Sequence, residues 1–432
     1  RDDVESRGLG DVYKRQLLDT IDSVLIIISL DYYIIHNIEL TLNIDKMKKI
    51  NAALVISLFV MTGCGGNKQL TDDCITVDVS ADYPKKELIL QDFMDVEYVP
   101  LETTDDFITQ GIVKATGKKI LLVANRIMDG NIFVFDRATG KGLRKINRLG
   151  QSGEEYSHIT SIVLDEDNNE MFVVDYPARK ILVYDLYGEF NRSLPFPDTC
   201  YYEFLSDYDR DHLIGYKSYL PLIETDESCH VLISKKDGSV TRKIQIPFKE
   251  LETPVVTKDE AIVTPGFFLI TPHDGNCLLT KTSSDTIYNY LPDGTLSPFI
   301  VRTPSIHSMD PKVFLFPTII TDRYYFMQTL DKKFNFEKGR GFPTNDLVYD
   351  KQEKAIFQYT VYNDDFSNKH RVALGQQPEK SVDEEIVTCR ALNASDLVEA
   401  NEKGELKGKL KEIAAGLNEE SNSVIMLIKR KK

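Results

Sequence analysis

Tryptophan is absent from the 432-residue chain, and histidine is scarce at seven. The first absence removes the strongest aromatic platform for stacking on sugars, although 21 Tyr and 21 Phe remain. Beyond His36, the other six, His158, His212, His230, His273, His307 and His370, are dispersed and form no HExxH pattern. The six cysteines show no CxxC spacing and no His/Cys cluster, so neither a disulfide framework nor a zinc site is expected. Cys229, Cys277 and Cys389 lie beside apolar runs and read as small core residues. No stretch of 18 apolar residues could span a bilayer as a helix. Lys and Arg total 52 against 67 Asp and Glu, a net charge of −15 with no basic stripe, so nucleic acid is not an expected partner. What is present, 42% hydrophobic and 28% charged residues, excludes a disordered chain.

Met47-Lys48-Lys49 leads into the apolar run Ile50 to Val60 and then Met61-Thr62-Gly63-Cys64. Two lysines, a short apolar segment and small residues before a cut are the parts of a signal peptide, placed here at 47–63. Thr62-Gly63-Cys64 resembles the bacterial lipobox, in which the cysteine receives a lipid; Met61 departs from its usual leucine. Residues 64–74, opening Cys64-Gly65-Gly66-Asn67-Lys68, then form a lipidated flexible tether. Residues 1–16 resemble translated adapter read-through, and 17–46 read as translated upstream DNA. The run Val24 to Leu30 is bracketed by Asp22 and Asp31 and is too short to cross a membrane. A genuine extension with an internal anchor is the alternative for residues 1–46.

From residue 75 onward, short runs rich in Val, Ile, Phe and Tyr alternate with Gly, Asp and Asn turns, the pattern of an all-β chain. Ile132-Phe133-Val134-Phe135-Asp136 recurs as Ile181-Leu182-Val183-Tyr184-Asp185 and more loosely as His230-Val231-Leu232-Ile233-Ser234, in steps of 49 residues. Glycine turns at Gly140, Gly188, Gly238 and Gly294 follow with spacings of 48, 50 and 56. A period of roughly 40 to 50 built from hairpins predicts a β-propeller of four-stranded antiparallel blades, and the length 75–432 accommodates six. Two later copies are degenerate: Tyr324 to Met327 with Leu347 to Asp350 and Ala355 to Tyr359, then Glu385 to Cys389. Leu88-Ile89-Leu90 and Val96 to Leu101 are expected to share a composite closing blade with Val424 to Ile428, covering an open edge. Leu406, Leu410, Ile413 and Leu417 recur at helical spacing, predicting a short helical insertion before the closing strand, with Ser395 as a cap on an earlier turn.

These residues resemble the six-bladed β-propeller lipoproteins of Bacteroidetes, related to NHL-repeat and TolB-like propellers. The resemblance rests on Cys64, the segment Val96 to Thr104, the blade Ile132 to Ile146, the loop Gly150-Gln151-Ser152-Gly153-Glu154-Glu155-Tyr156 and the closing strand through Lys429. In the loop, Ser152 and Glu154 depart from the family's Gly-x-Gly-Pro-Gly-Glu-Tyr pattern. The resemblance implies an envelope lipoprotein, outer membrane in address, associated with glycan or nutrient uptake, and implies no established reaction.

Asp165-Glu166-Asp167-Asn168-Asn169 and Asp207-Tyr208-Asp209-Arg210-Asp211 begin like calcium loops but lack the Gly and bidentate Glu that complete one, so turns are expected and no metal. Gly150-Gln151-Ser152-Gly153 misses the Gly-x-Ser-x-Gly elbow by one residue, and a blade connector is expected there. Ligands of propellers meet one mouth of the channel. Candidate binding residues beside inner strands or connectors are Arg126, Arg148, Tyr156, Tyr176, Arg179, Tyr216, Lys217, His273 and Arg323. The expected function is a lipid-anchored, monomeric, non-catalytic binding or scaffold module for a glycan, peptide or envelope protein, without cofactor. The alternative is a propeller-type hydrolase or lyase acting at the channel mouth, and a third reading is a TolB-like scaffold with a flat interface.

Overall fold

The computed structural model describes residues 74–431 apart from 126–128, 198–199, 219–224, 226, 260 and 375–384. Residues 1–46, the segment 47–63 expected to be a leader, Cys64, the expected tether up to residue 73 and Arg126 lie outside the described residues.

Six sheets form a six-bladed propeller. Blade 1 comprises Ile112–Thr116, Ile120–Ala124, Asn131–Asp136 and Gly142–Asn147. Blade 2 comprises Ser161–Asp165, Glu170–Asp175, Lys180–Asp185 and Phe190–Pro195, and blade 3 Tyr201–Asp207, His212–Ser218, Cys229–Ser234 and Val240–Ile244. Blade 4 comprises Ile270–His273, Asn276–Leu279, Thr286–Tyr290 and Leu296–Thr303; blade 5 comprises Val313–Ile320, Tyr324–Asp331, Thr344–Asp350 and Ala355–Asn363. First strands of successive blades touch, Ile112–Thr116 meeting both Ser161–Asp165 and Ile386–Leu392, and so form the inner wall of the ring.

Middle strands are covered on both faces by neighbouring blades, which is why they read as unbroken apolar runs. Ile120–Ala124 is buried at every position, whereas the outer strand Gly142–Asn147 alternates. The core is accordingly divided among the blade junctions. Leu122, Val134, Ile162 and Met171 fill the space between blades 1 and 2, and Phe172, Val174, Leu213 and Val231 that between blades 2 and 3. Each such aliphatic or aromatic side chain contributes about 1.5–3 kcal/mol by leaving water.

The turn glycines do more than close hairpins. Gly140, Gly188, Gly238 and Gly294 all have positive φ, and each abuts the outer strand of the preceding blade, at Pro100, Ile146, Leu194 and Arg242 respectively. A second repeat is an arginine clasp at the same joints. Arg144 Nη1 donates to Leu186 O at 2.8 Å, Arg192 Nη2 to Lys235 O at 2.7 Å, and Arg242 Nη1 to Tyr290 Oη at 3.1 Å, each reaching into the next blade.

The ring closes where Met94–Pro100 pairs antiparallel with Val424–Arg430, Val96 opposite Ile428, with Ile386–Leu392 on its inner side. The expectation for Leu88–Leu90 is corrected. Lys85–Ile89 runs parallel to Ala355–Asn363 as a fifth strand of blade 5, and Ile75–Asp78 likewise joins Leu296–Thr303 of blade 4. The four-residue helix Leu90–Phe93 separates the segment from the closing strand, so the chain caps two outer edges before completing the ring. Helices Ala394–Glu402 and Gly408–Ala414 form the insertion. Its first helix starts from Asn393 and not from Ser395, because Asn393 is the extended residue before the first turn, and Ser395 already lies inside it. Leu397, Leu406, Leu410 and Ala414 pack with Phe366 and Val424, so the apolar stripe is docked on the last two blades.

Candidate functional site

The two ends of the ring differ in what they can do. At one end, the hairpins between first and second strands are short and tied to one another. Glu166 accepts from the backbone N–H groups of Lys118, Lys119 and Ile120 at 2.7, 2.9 and 3.2 Å, joining blade 2 to blade 1. Asp209 accepts from the N–H groups of Asp211 and His212 at 2.8 and 2.7 Å. The two acidic segments that begin like calcium loops are thus turns whose carboxylates hold backbone and neighbouring blades. Asp165 and Asp207 flank Lys235, whose Nζ lies 2.5 and 2.6 Å from them, with the lysine and Asp165 almost fully buried. Two carboxylates share one ammonium here. Burial first, opposed by Lys235, pushes Asp207 up to about 6, while its neighbours raise Lys235 against the desolvation that would lower it.

His273 and Arg323 also belong to this end. His273 closes the first strand of blade 4, its ring 4.9 Å from that of Phe299, and Arg323 donates to both oxygens of Asp350 at 3.2 and 2.9 Å. Lys86 joins the same carboxylate at 2.8 Å, and these partners outweigh burial to hold Asp350 well below the usual carboxylate range. Sequence adjacency to an inner strand does not tell which end of that strand a residue occupies, so these two are separated from the other candidates.

The opposite end carries the hairpins between second and third strands and the connectors between blades. The candidates there are mostly joints. Tyr156 is fully buried; its hydroxyl donates to Gly130 O at 2.6 Å and accepts from Arg148 N at 2.9 Å, and burial pushes it up to about 12. Arg148 Nε donates to Gly188 O at 2.8 Å. Gly150 to Tyr156 is therefore a blade connector, fixed further by Tyr184 Oη on Glu154 O at 2.7 Å and Lys180 Nζ on Glu155 O at 3.0 Å. Tyr176 and Arg179 do come together, around Tyr201: Tyr176 meets it edge to face at 5.8 Å, and the Arg179 guanidinium lies 4.5 Å above it while donating to Pro197 O and Cys200 O.

Tyr216 leads to residues the sequence reading passed over. It is buried, accepts a hydrogen bond from Lys281 Nζ at 2.7 Å, and meets His230 edge to face at 4.9 Å. His230 Nε2 donates to Leu269 O at 3.0 Å, and burial lowers its pKa to about 3, so the imidazole is neutral. Lys217, half-buried, lies opposite Cys229 in the same sheet. Lys281 belongs to Thr280-Lys281-Thr282-Ser283, a polar hairpin segment that is buried throughout. The long connector between blades 3 and 4 covers it: Glu252 O accepts from Thr282 Oγ1 and Ser283 Oγ at 2.7 and 3.0 Å, and the Glu252 carboxylate takes Lys332 Nζ at 2.9 Å.

That connector and the hairpin Phe334–Asn335 with Arg340–Gly341 of blade 5 enclose an open cleft of 590 Å³. Lys258, Lys333 and Arg340 line it with one carboxylate, Glu337, and with Phe334 and Phe336, whose rings meet edge to face at 4.9 Å. Lys258 Nζ lies 5.7 Å from the Phe336 ring. The volume falls in the range of small-ligand sites. None of these residues was a sequence candidate. The available signal was length: the connector 245–269 is far longer than the connector 196–200 between blades 2 and 3, and the hairpin 332–343 far longer than its counterpart 176–179, and extended loops on a rigid ring are where binding concentrates.

The blades, the sheet order and this cleft define a six-bladed β-propeller with its ligand-sized opening among the connectors. The chain belongs to the DUF5128 family, a 6-bladed beta-propeller, whose family model matches residues 65–388. In fold it is similar to a Bacteroides fragilis protein described as exported, at 15% identity over 83% of this chain and 99% of that chain, with a TM-score of 0.53. A duf4221-family protein from Bacteroides vulgatus aligns at 11% identity over 63% of this chain and 90% of that one, with a TM-score of 0.40. Comparison with curated proteins gives no match.

Proposed function

We propose that this protein is a non-catalytic binding module of the cell envelope, anchored through Cys64 and holding an acidic glycan segment in the cleft between the blade 3–4 connector and the blade 5 hairpin. The observation that supports it is the lining: Lys258, Arg340 and Lys333, the last also paired with Asp331 at 3.3 Å, against the one lining carboxylate Glu337, beside two phenylalanine rings, on a chain of net charge −15. Opposite charge draws an acidic ligand to this spot while the rest of the surface repels it, and the rings offer an apolar face to a sugar. An envelope address fits the leader pattern at 47–63 and the exported description of the B. fragilis protein. The module acts as a monomer, without cofactor.

Calorimetric titration with oligogalacturonate against neutral dextran fragments tests this reading. Oligogalacturonate binds and dextran does not, and raising salt from 50 to 200 mM weakens binding because exposed charges are screened. The double variant Lys258→Ala/Arg340→Ala loses about tenfold or more in affinity, each exposed charge contributing up to ~1 kcal/mol. Equal binding of both glycans, or an unchanged affinity in the variant, sinks the proposal. The hydrolase or lyase reading draws on Lys281, Tyr216 and His230. It replaces the first if the protein turns over a glycan and Tyr216→Phe abolishes turnover without altering the melting temperature.

A further inference from the structure

The two walls of the cleft come from segments far apart in the chain. One is the strand Val256–Lys258 of the connector, and the other is the hairpin of Phe334–Asn335 with Arg340–Gly341. Neither is a strand of a blade, so the blade sheets by themselves do not set the distance between them. One carboxylate stands at the root of both. Glu252, half-buried in the connector, lies six positions before Lys258. Its Oε1 accepts from Nζ of Lys332, the residue next to the lining Lys333, at 2.9 Å.

The backbone of the same residue is fastened to blade 4. Glu252 N donates to Ser283 Oγ at 2.8 Å, and Glu252 O accepts from Thr282 Oγ1 and Ser283 Oγ, both residues being buried. The side chain then crosses to blade 5, where Lys312 and Lys332 flank the paired ends of the first two strands and Lys332 N donates to Lys312 O at 2.8 Å. Lys312 Nζ lies 3.8 Å from Glu252 Oε2 while donating to His307 O at 3.2 Å. An ion pair at a surface contributes little by charge alone, but here one residue is fixed to two blades through backbone and side chain together. A ligand that meets walls already held in place loses less free energy to ordering them. We infer that Glu252 is the positioning residue of the cleft: without touching the ligand, it sets the spacing between Lys258 on one wall and Lys333 and Arg340 on the other. The inference rests on the acidic-glycan reading for its ligand and on the geometry alone for the spacing.

Two measurements test it, one of them without ligand. In hydrogen exchange followed by mass spectrometry, Glu252→Ala and Lys332→Met each speed exchange in segments 245–259 and 332–343 and leave the blade strands as in the parent protein. In titration with oligogalacturonate, Glu252→Ala weakens binding about tenfold, the loss expected when a few more side chains must be ordered on binding. The sign separates positioning from charge. Removing a carboxylate beside a cationic cleft favours an acidic ligand, so Glu337→Gln, which alters an exposed lining residue, tightens binding severalfold. Glu252→Gln keeps the length and an oxygen for Lys332 but not the charge, and it binds with an affinity between those of the parent protein and Glu252→Ala. Unchanged exchange in both segments, or a Glu252→Ala protein that binds as tightly as the parent or more tightly, overturns the inference. If the parent protein does not bind oligogalacturonate, the glycan reading fails by itself and the exchange measurement alone decides the role of Glu252.

Discussion

Lys235→Met lowers stability by about 3–5 kcal/mol at pH 8, because it leaves two carboxylates facing each other without their cation in a buried joint. Methionine keeps most of the lysine stem's volume, so the loss is electrostatic in origin. Asp165 and Asp207 sit 2.5 and 2.6 Å from the ammonium, and the Lys235 carbonyl also accepts from Arg192 Nε and Nη2 at 3.0 and 2.7 Å. Arg192 in turn grips Glu170 through two bonds of 2.5 and 2.7 Å. One residue thus joins blades 2 and 3 through both side chain and backbone. The deficit shrinks as pH falls toward 5, since a proton on one carboxylate replaces the missing charge. In the parent protein the sign is set by Asp207, whose folded pKa is raised to about 6 by burial, with Asp165 and Asp209 adding to the rise. Its neutral form favours the folded state, so that contribution is complete in acid and fades as pH climbs through about 6. Asp207→Asn flattens this slope. Urea unfolding at pH 5, 6.5 and 8 reads both effects, and a Lys235→Met deficit that is constant with pH refutes the account.

Gly140→Ala costs about 2–4 kcal/mol, more than any other single methyl added to a turn glycine of the repeat. Gly140 has φ +70°, and a Cβ there would stand 1.9 Å from Pro100 O, a backbone atom of the strand that closes the ring. Its own carbonyl accepts from Glu102 N at 2.8 Å, so neither partner can yield without loosening the closure. Gly275 separates the two causes. It has φ +69° with nothing within 4 Å of a Cβ, so Gly275→Ala carries the conformational penalty alone, about 1–2 kcal/mol. Gly153, with open space and no positive φ, tolerates alanine within about 0.5 kcal/mol. If denaturation curves put Gly140→Ala and Gly275→Ala at the same loss, the contact with the closing strand is not what restrains Gly140.

The repeat was legible because a propeller writes itself into the chain. Ile132 to Phe135 and Ile181 to Tyr184 occupy the same third-strand position of blades 1 and 2, where neighbours on both faces bury every step. The turn glycines were legible for the same reason, each serving one recurring joint. Candidate site residues were less so. Arg148, Tyr156, Arg179 and Arg323 were chosen as polar or aromatic groups near connectors, and the structure engages each in hydrogen bonds that hold connectors, turns or strands in place. A polar side chain that ties two blades together has the same local sequence appearance as one that meets a ligand.

By itself, then, the sequence determined the blade unit, its number, the closing strand from Val424 to Ile428 and the helical insertion before it, because period and apolar pattern are properties of neighbouring residues. Tertiary structure alone decided that Lys235 meets Asp165, that Ile75–Asp78 and Lys85–Ile89 edge two blades, and that Lys258 shares a cleft with Arg340. Those meetings join segments far apart along the chain. They are set by the angle between blades and the path of long connectors, which no local pattern encodes.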